Sequence, residues 1–153
     1  MLNIVIPMAG KGERFDKVGY ELPKPLIDVL GKPMINRVLD DLHTTVEHKF
    51  IFIVRKEHVD HYHIDELLKS LCEDPVIIPI TGTTQGQACS ALLAKEYINN
   101  IDPLMIANCD QYVTVDIDDY LAEMDHKEAS GLIMTLTADN PEWSYVKLDE
   151  NNV

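Results

Sequence analysis

The fold of this 153-residue chain is decided by its first segment, Leu2-Asn3-Ile4-Val5-Ile6-Pro7-Met8-Ala9-Gly10-Lys11-Gly12. The first half of the segment is apolar and rich in β-branched residues, which is typical of a strand buried on both faces of a sheet. Pro7 ends this run, and two glycines follow it closely. The segment therefore predicts a central strand that leads directly into a glycine-bearing loop.

Apolar segments alternate with segments of helical periodicity along the rest of the chain. Further strands are predicted at residues 50–54, 76–80, 104–107, 131–137 and 145–148, and helices at 33–42, 57–71, 86–98 and 116–124. Such alternation indicates a three-layer, Rossmann-like α/β fold with a mostly parallel sheet. No internal repeat or linker interrupts the pattern, so we predict one domain over residues 1–153.

The composition limits the classes of function. Apolar residues make up 46% of the chain, and 26 acidic side chains outnumber 13 basic ones, for a net charge of −13. This excess disfavours a general nucleic-acid or anionic-membrane surface. Three widely spaced cysteines form no metal-binding or disulfide pattern, and the N-terminus has no signal-peptide features. We therefore expect a soluble, cytoplasmic protein that binds neither nucleic acid nor membrane.

Basic side chains are concentrated near the N-terminus. Residues 61–153 hold four basic and seventeen acidic side chains, whereas residues 11–37 hold six basic and four acidic ones. An ordinary solvated surface would also explain this distribution. If the protein binds a phosphate group, however, the local basic excess places that site between residues 11 and 37.

Two features of this basic segment suit phosphate binding. Glycines after a buried strand let backbone N–H groups surround phosphate oxygens, and Lys11 and Arg14 add positive charge. The dinucleotide-binding and P-loop patterns are both absent, so a plain strand-to-loop turn is an alternative interpretation. Lys24 lies between Pro23 and Pro25, which stiffen the backbone that carries its ammonium group. Alternatively, the Pro23-Lys24-Pro25 segment is simply a stiff turn at the surface.

In these features the sequence resembles the sugar-phosphate nucleotidyltransferases, also called nucleotide-sugar pyrophosphorylases. The resemblance rests on three segments in family order and spacing: Ile4 to Arg14, Pro23-Lys24-Pro25-Leu26, and Gly31-Lys32-Pro33-Met34-Ile35. Gln85-Gly86-Gln87-Ala88 resembles the segment that meets the base and ribose, and Ala107-Asn108-Cys109-Asp110 resembles the acidic metal site. The resemblance implies a fold of the nucleotide-diphospho-sugar transferase type.

The resemblance also implies roles for individual residues. Arg14 and Lys24 would be catalytic, with Arg14 on the β- and γ-phosphates and Lys24 bridging the reacting phosphates. Asp110 would bind Mg²⁺. The nucleotide would be bound by Ala9, Gly10, Lys11, Gly12, Gln85, Gly86 and Asn108.

The implied reaction is attack by the phosphate of a small acceptor, a sugar phosphate or another compound, on the α-phosphorus of an NTP, with release of pyrophosphate. The resemblance favours CTP, UTP or dTTP, implies a place in nucleotide-sugar and polysaccharide biosynthesis, and allows a homo-oligomer. Two alternatives stay open, a nucleotide-binding or regulatory module without turnover and a nucleotide-sugar-dependent glycosyltransferase. The latter usually carries a D-x-D pair, whereas position 108 is Asn.

Two further expectations concern the chain end and the histidines. Family members continue past residue 153, so we expect the acceptor-binding part to be missing, with Asn151-Asn152 as the turn of an incomplete hairpin. His58, His61 and His63 resemble a metal cluster, but His61 and His63 point to different faces of a helix. A solvated helix face is the better interpretation of the three histidines.

Overall fold

The computed structural model describes residues 1–141 and 143–149, so the predicted hairpin turn at 151–152 lies outside the described residues. The strands are β1 (Leu2–Pro7), β2 (Asp28–Val29), β3 (Lys32–Pro33), β4 (His48–Arg55), β5 (Val76–Ile80) and β6 (Leu104–Ile106). The helices are α1 (Glu13–Asp16), α2 (Met34–Asp41), α3 (Lys56–Tyr62), α4 (Ile64–Leu71), α5 (Gln87–Ala91), α6 (Lys95–Ile98) and α7 (Ile117–His126). Short 3-10 turns lie at Lys24–Leu26 and Leu92–Ala94.

Four of the strands form one parallel sheet in the order β5-β4-β1-β6. The chain moves outward from β1 to β4 and β5, and then crosses back to place β6 on the other side of β1. Ile4 lies between Phe50 of β4 and Met105 of β6 in the register. The predicted central strand and the predicted α/β class are both confirmed. The reversal of direction makes the gap between β1 and β6 the topological switch point of the sheet.

Both faces of the central strands are buried. Val5, Ile51 and Ile53 form a core cluster with Ala91 and Ala94 of the helical segment after β5. The alternate residues Ile4, Ile6, Phe50 and Phe52 point to the opposite face and are also buried. Parallel crossovers are right-handed, so α2 and the α3–α4 pair lie on the face opposite to α5 and α6. This arrangement is the predicted three-layer architecture.

A small antiparallel hairpin, β2–β3, follows the loop that carries Lys24. Its turn residues Leu30 and Gly31 both have positive φ, 54° and 83°, as tight hairpin turns require. Arg37 of α2 donates hydrogen bonds to the carbonyl oxygens of Val29 and Leu30. The hairpin is thus fixed to α2, which begins immediately after it.

The helix predicted over residues 57–71 is wrong in one respect, because it is broken into α3 and α4. His63 separates them with a left-handed backbone, φ 50° and ψ 39°. A left-handed residue interrupts the helical path, and apolar periodicity alone does not reveal such a break. The helix predicted at 116–124 is confirmed as α7, and the Asp116 Oδ1 atom accepts hydrogen bonds at its start from the N–H groups of Asp118 and Asp119.

The strands predicted at 131–137 and 145–148 are wrong, because the described residues of both segments form no strand. Neither segment has a hydrogen-bonded ladder partner among the described residues, and a strand needs such a partner to be stable. The chain forms two compact units, Met1–Asp119 and Tyr120–Val153. Within the second unit, the Tyr120 hydroxyl donates to the carbonyl oxygen of Leu132. A single domain over residues 1–153 stays a prediction.

Candidate functional site

A cavity of about 490 Å³ opens at the carboxyl end of β1, beside the switch point of the sheet. The Ala107 N–H donates to the carbonyl oxygen of Val5, and the Met8 N–H donates to that of Ile53. These bonds extend the sheet pairing past the strand ends and fix where the two loops begin. In open parallel sheets, this is the position at which ligands bind.

The loop after β1 forms one wall of the cavity. Gly12 has φ +71°, a conformation that residues other than glycine rarely adopt. A Cβ atom built on Gly12 would lie 3.6 Å from the Lys24 Cβ atom, so the loop passes close to the lysine. Gly10 has no positive φ, and a Cβ atom there would meet no protein atom within 4 Å. The backbone at Gly10 is therefore open to a ligand.

Lys24 and Asp110 form an ion pair at the cavity. Lys24 precedes the hairpin, Asp110 follows β6, and their side chains are 24% and 33% exposed. The Lys24 Nζ atom also lies 5.4 Å from the centre of the Phe15 ring, within the range of a cation–π interaction. A positive and a negative group thus meet where the two loops converge.

The opposite wall comes from the turn between β5 and α5. Gly86 has φ +147° and precedes α5, and the Thr84 hydroxyl donates to its carbonyl oxygen at 3.0 Å. The buried Ser90 hydroxyl lies 2.5 Å from the Thr84 hydroxyl. The Gln87 amide donates to the Asn108 side-chain oxygen and links this wall to the loop after β6. The walls of the cavity are therefore tied together by polar side chains.

The structure brings most of the predicted site residues to this one cavity. Its lining includes Ala9, Gly10, Gly12, Arg14, Lys24, Gly86, Asn108 and Asp110. Lys11 and Gln85 are exposed and do not belong to the lining. The predicted contact between Gln85 and the base is therefore not supported by a position in the cavity lining.

Sequence reasoning missed several residues of the lining, chiefly Phe15, Thr84, Gln87 and Ser90. The sequence offered a signal for two of them. Gln87 and Ser90 are three residues apart at the start of a predicted helix, so their side chains lie on the same face of that helix. In the structure, Gln87 and not Gln85 belongs to the lining of the cavity.

The lining holds one thiol and one carboxylate. Burial and the adjacent Asp110 carboxylate raise the pKa of the Cys109 thiol to about 11, so the thiol stays neutral near pH 7. Asp110 is the one carboxylate among the lining residues that the structure describes. Mg²⁺ commonly binds one or two carboxylates together with substrate phosphates, so a site with a single carboxylate beside an open glycine loop fits that ion.

The three histidines at positions 58, 61 and 63 do not form a metal site in the part of the chain that the structure describes. His58 is 7% exposed, so placing it on a solvated helix face is wrong, whereas His61 and His63 are exposed. Val59 and Ile64 provide apolar neighbours in the sequence near His58. His58 lies one helical turn before Tyr62, and the two rings meet edge to face. No group of three metal-binding side chains occurs in the described part of the chain. No helix of that part is long and apolar enough to cross a bilayer.

Comparisons with known proteins agree with this geometry. Residues 4–153 match the model of the nucleotidyl transferase family. The chain is 26% identical to the bifunctional protein GlmU of Methanocaldococcus jannaschii, over 99% of this chain and 34% of that protein. The chain therefore spans about a third of the length of the curated relatives that it matches.

Solved structures show the same likeness. A nucleoside-diphosphate-sugar pyrophosphorylase from Vibrio cholerae matches with a TM-score of 0.53 and 27% identity, over 76% of this chain and 52% of that one. A UDP-glucose pyrophosphorylase from Acinetobacter baumannii matches with a TM-score of 0.63 and 17% identity, over 84% and 54%, and so supports the fold alone. The predicted fold type and family resemblance are confirmed, and the chain belongs to the nucleotidyl transferase family.

Proposed function

We propose that this chain is the nucleotide-binding portion of an enzyme that transfers NMP from an NTP to a small phosphorylated acceptor and releases pyrophosphate. The observation that carries this proposal is the meeting of Lys24 and Asp110 beside the open glycine loop. A cationic group and a candidate metal ligand at one cavity are the two devices that phosphoryl transfer requires. Family membership supports the reaction class.

The residues of the cavity have complementary roles in this reaction. The backbone of the loop at Gly10 and Gly12 receives the triphosphate, because Gly10 leaves room for a ligand and Gly12 brings the loop close to Lys24. Arg14 stabilises the charge that develops on the departing pyrophosphate, and Lys24 contacts the reacting phosphates. The acceptor phosphate is already anionic, so positioning and charge neutralisation supply most of the catalysis without a general base.

The metal in this proposal is Mg²⁺, held by Asp110 and by phosphate oxygens of the nucleotide. Such an ion neutralises charge around the α-phosphate when it is bound. In the structure the Asp110 carboxylate is paired with the Lys24 ammonium. Phosphates of a bound nucleotide would attract the Lys24 ammonium and so free the Asp110 carboxylate to hold the ion.

The remaining assignments are narrower. We propose that a sugar phosphate is the acceptor and that CTP, UTP and dTTP are the first nucleotides to test, with Gln87 added to Gln85 as a candidate for the base contact. Lys11 stays a candidate for a nucleotide contact from outside the lining. The three free cysteines support a reducing, cytoplasmic location. A place in nucleotide-sugar and polysaccharide biosynthesis, and a homo-oligomer, are further parts of the proposal.

Pyrophosphate release tests the proposed reaction. The full protein that contains this chain is incubated with each NTP and a panel of sugar phosphates, with Mg²⁺ and with a chelator. We expect release that requires both acceptor and Mg²⁺, and at least a tenfold loss in Asp110→Asn. Asp40→Asn is the matched control, because Asp40 pairs with Lys32 outside the cavity lining.

The other outcomes identify the alternatives. NTP binding without release for any acceptor would contradict the transfer reaction and favour a nucleotide-binding module. Transfer from a nucleotide sugar, with no pyrophosphate formed from an NTP, would favour a glycosyltransferase. Equal activity in the presence of Mg²⁺ and of the chelator would contradict the metal assignment.

A further inference from the structure

The Lys24 ammonium contacts two groups of the cavity. One is the Asp110 carboxylate, and the other is the Phe15 ring, whose centre lies 5.4 Å from Nζ. Both groups belong to the lining of the same cavity. In the proposed reaction the Asp110 carboxylate would hold a metal ion. Of these two partners, Lys24 would then keep only the Phe15 ring.

Phe15 is itself fixed by its surroundings. Its backbone N–H donates to the carbonyl oxygen of Gly12 at 2.8 Å, which ties it to the glycine loop. Its ring meets the Tyr20 ring edge to face, with centroids 5.7 Å apart and an interplanar angle of 69°. The Tyr20 N–H donates in turn to the carbonyl oxygen of Phe15. The ring is therefore a fixed surface rather than a side chain that follows Lys24.

A fixed ring is useful here because lysine is flexible. The lysine side chain has four rotatable carbon–carbon bonds between the backbone and its ammonium group, and ordering them costs conformational entropy. The two prolines stiffen only the backbone that carries Lys24, not its side chain. A ring face that attracts the ammonium reduces the entropy that the side chain loses when a phosphate binds.

We propose that Phe15 is a positioning residue that keeps the Lys24 ammonium directed into the cavity when Asp110 turns to the metal ion. This inference rests on the proposed function. It assigns Phe15 a role through Lys24 and no direct contact with the nucleotide. Loss of the ring should therefore weaken phosphate binding only in a chain that still has Lys24.

A double-mutant cycle separates this role from simple packing. The probe is inorganic pyrophosphate with Mg²⁺, because it does not depend on the base, and its affinity is measured by calorimetry on the 153-residue chain. Phe15→Leu removes the ring but keeps an apolar side chain. An exposed cation–π contact corresponds to a loss of about two- to fivefold in affinity.

The cycle is completed with Lys24→Met and with rescue variants. We expect Phe15→Leu to weaken binding in the wild-type background and to have no effect in the Lys24→Met background, since the coupling is between the two side chains. Phe15→Tyr should restore the wild-type affinity because it retains the ring. Phe15→Met repeats the test without a ring if the leucine variant does not fold.

The ligand-free chain provides a second, spectroscopic measurement. A ring face shifts nearby protons upfield, so the Lys24 ε-methylene signal should be displaced from those of the other lysines. The displacement should vanish in Phe15→Leu and persist in Phe15→Tyr. Lys24→Met assigns the signal by its disappearance.

The possible failures are distinguishable. If wild-type chain binds neither pyrophosphate nor any NTP, the proposed function fails. If it binds but Phe15→Leu has the same affinity as wild type, or weakens binding equally with and without Lys24, the positioning role of Phe15 is wrong. An undisplaced ε-methylene signal would also contradict the contact on which the proposal depends.

Discussion

Lys24 and Asp110 form an ion pair although 86 positions separate them in the sequence. They meet because β1 and β6 are neighbours in the sheet, so the segments that follow these strands converge at the switch point. Lys24 belongs to the basic segment at 11–37 and Asp110 to the acidic remainder of the chain. The uneven charge of the sequence thus becomes a local pairing of opposite charges at the candidate site.

Replacing Lys24 tests whether this pair serves binding rather than stability. Both side chains are partly exposed, and exposed ion pairs contribute about 0–1 kcal/mol, so Lys24→Met should change the free energy of unfolding by less than about 1 kcal/mol. Binding of an NTP with Mg²⁺ should weaken at least tenfold. Urea unfolding and calorimetry measure the two effects. Lys32→Met, at the Lys32–Asp40 pair, is the control that should change neither.

A different result for Lys24→Met would reverse the interpretation. If the variant unfolds, or if its nucleotide affinity equals that of the wild type, Lys24 is part of a structural turn. The short proline-flanked segment would then serve only to place the β2–β3 hairpin.

The two glycines after β1 should respond differently to alanine. Gly10→Ala places a Cβ atom in open space, so stability should hardly change while a ligand on that backbone is obstructed. Gly12→Ala imposes φ +71° on a residue with a side chain, which costs about 1–2 kcal/mol in the left-handed region. Thermal unfolding and nucleotide titration of both variants check this contrast. Normal nucleotide affinity in Gly10→Ala would argue against a phosphate cradle there.

Protonation of His58 should destabilise the fold. Burial, followed by the nearby positive Arg55, lowers the pKa of His58 below its usual 6.5, against a smaller raising effect of Glu57. The folded state therefore favours the neutral ring, and its contribution is present above pH 6.5 and lost as the pH falls towards the lower folded pKa. Unfolding free energy measured from pH 7.5 to 5 should fall less steeply in His58→Gln than in wild type.

His61→Gln is the control for this prediction, because His61 lies on the same helix but is exposed. Its pH profile should match that of the wild type. If His58→Gln also keeps the wild-type slope, burial of His58 does not govern the acid sensitivity of the fold.

The cysteines should differ in their reactivity. Burial raises the pKa of Cys72 to about 11, and the pKa of Cys109 is raised to about 11 as well, whereas Cys89 is exposed. At pH 8 only about one in a thousand of the two shielded thiols is the reactive thiolate. Iodoacetamide should therefore modify Cys89 first, as peptide mass spectrometry can show. Equally rapid modification of Cys109 would contradict its partial burial in the cavity wall.

The sequence predicts the fold well where a strand is buried or a helix has a continuous apolar face. The buried first strand follows directly from its apolar β-branched run, and the half-buried strand at 76–80 follows from a similar run. The break at His63 depends on a single left-handed residue, which leaves the apolar spacing of residues 57–71 unchanged. The two later strands were overpredicted because β-propensity describes a segment and not the partner that it needs.

The candidate site shows a similar division. The residues themselves point to Gly10 and Gly12 in the glycine loop and to the proline-flanked Lys24, whereas Asp110 is predicted only from the family resemblance. The sequence does not reveal that Lys24 and Asp110 pair in the absence of ligand, since pairing depends on three-dimensional distance. Phe15 is not among the predicted site residues, because its contact with Lys24 depends on the three-dimensional structure.

We propose that one cavity binds a nucleoside triphosphate through Lys24 and a metal ion that Asp110 would hold. Calorimetric titration of the 153-residue chain with ATP, GTP, CTP, UTP and dTTP, with and without Mg²⁺, tests it most directly. We expect at least one of them to bind in the presence of Mg²⁺, and both Lys24→Met and Asp110→Asn to weaken this binding at least tenfold. Binding of none of the five nucleotides by a folded chain would contradict it.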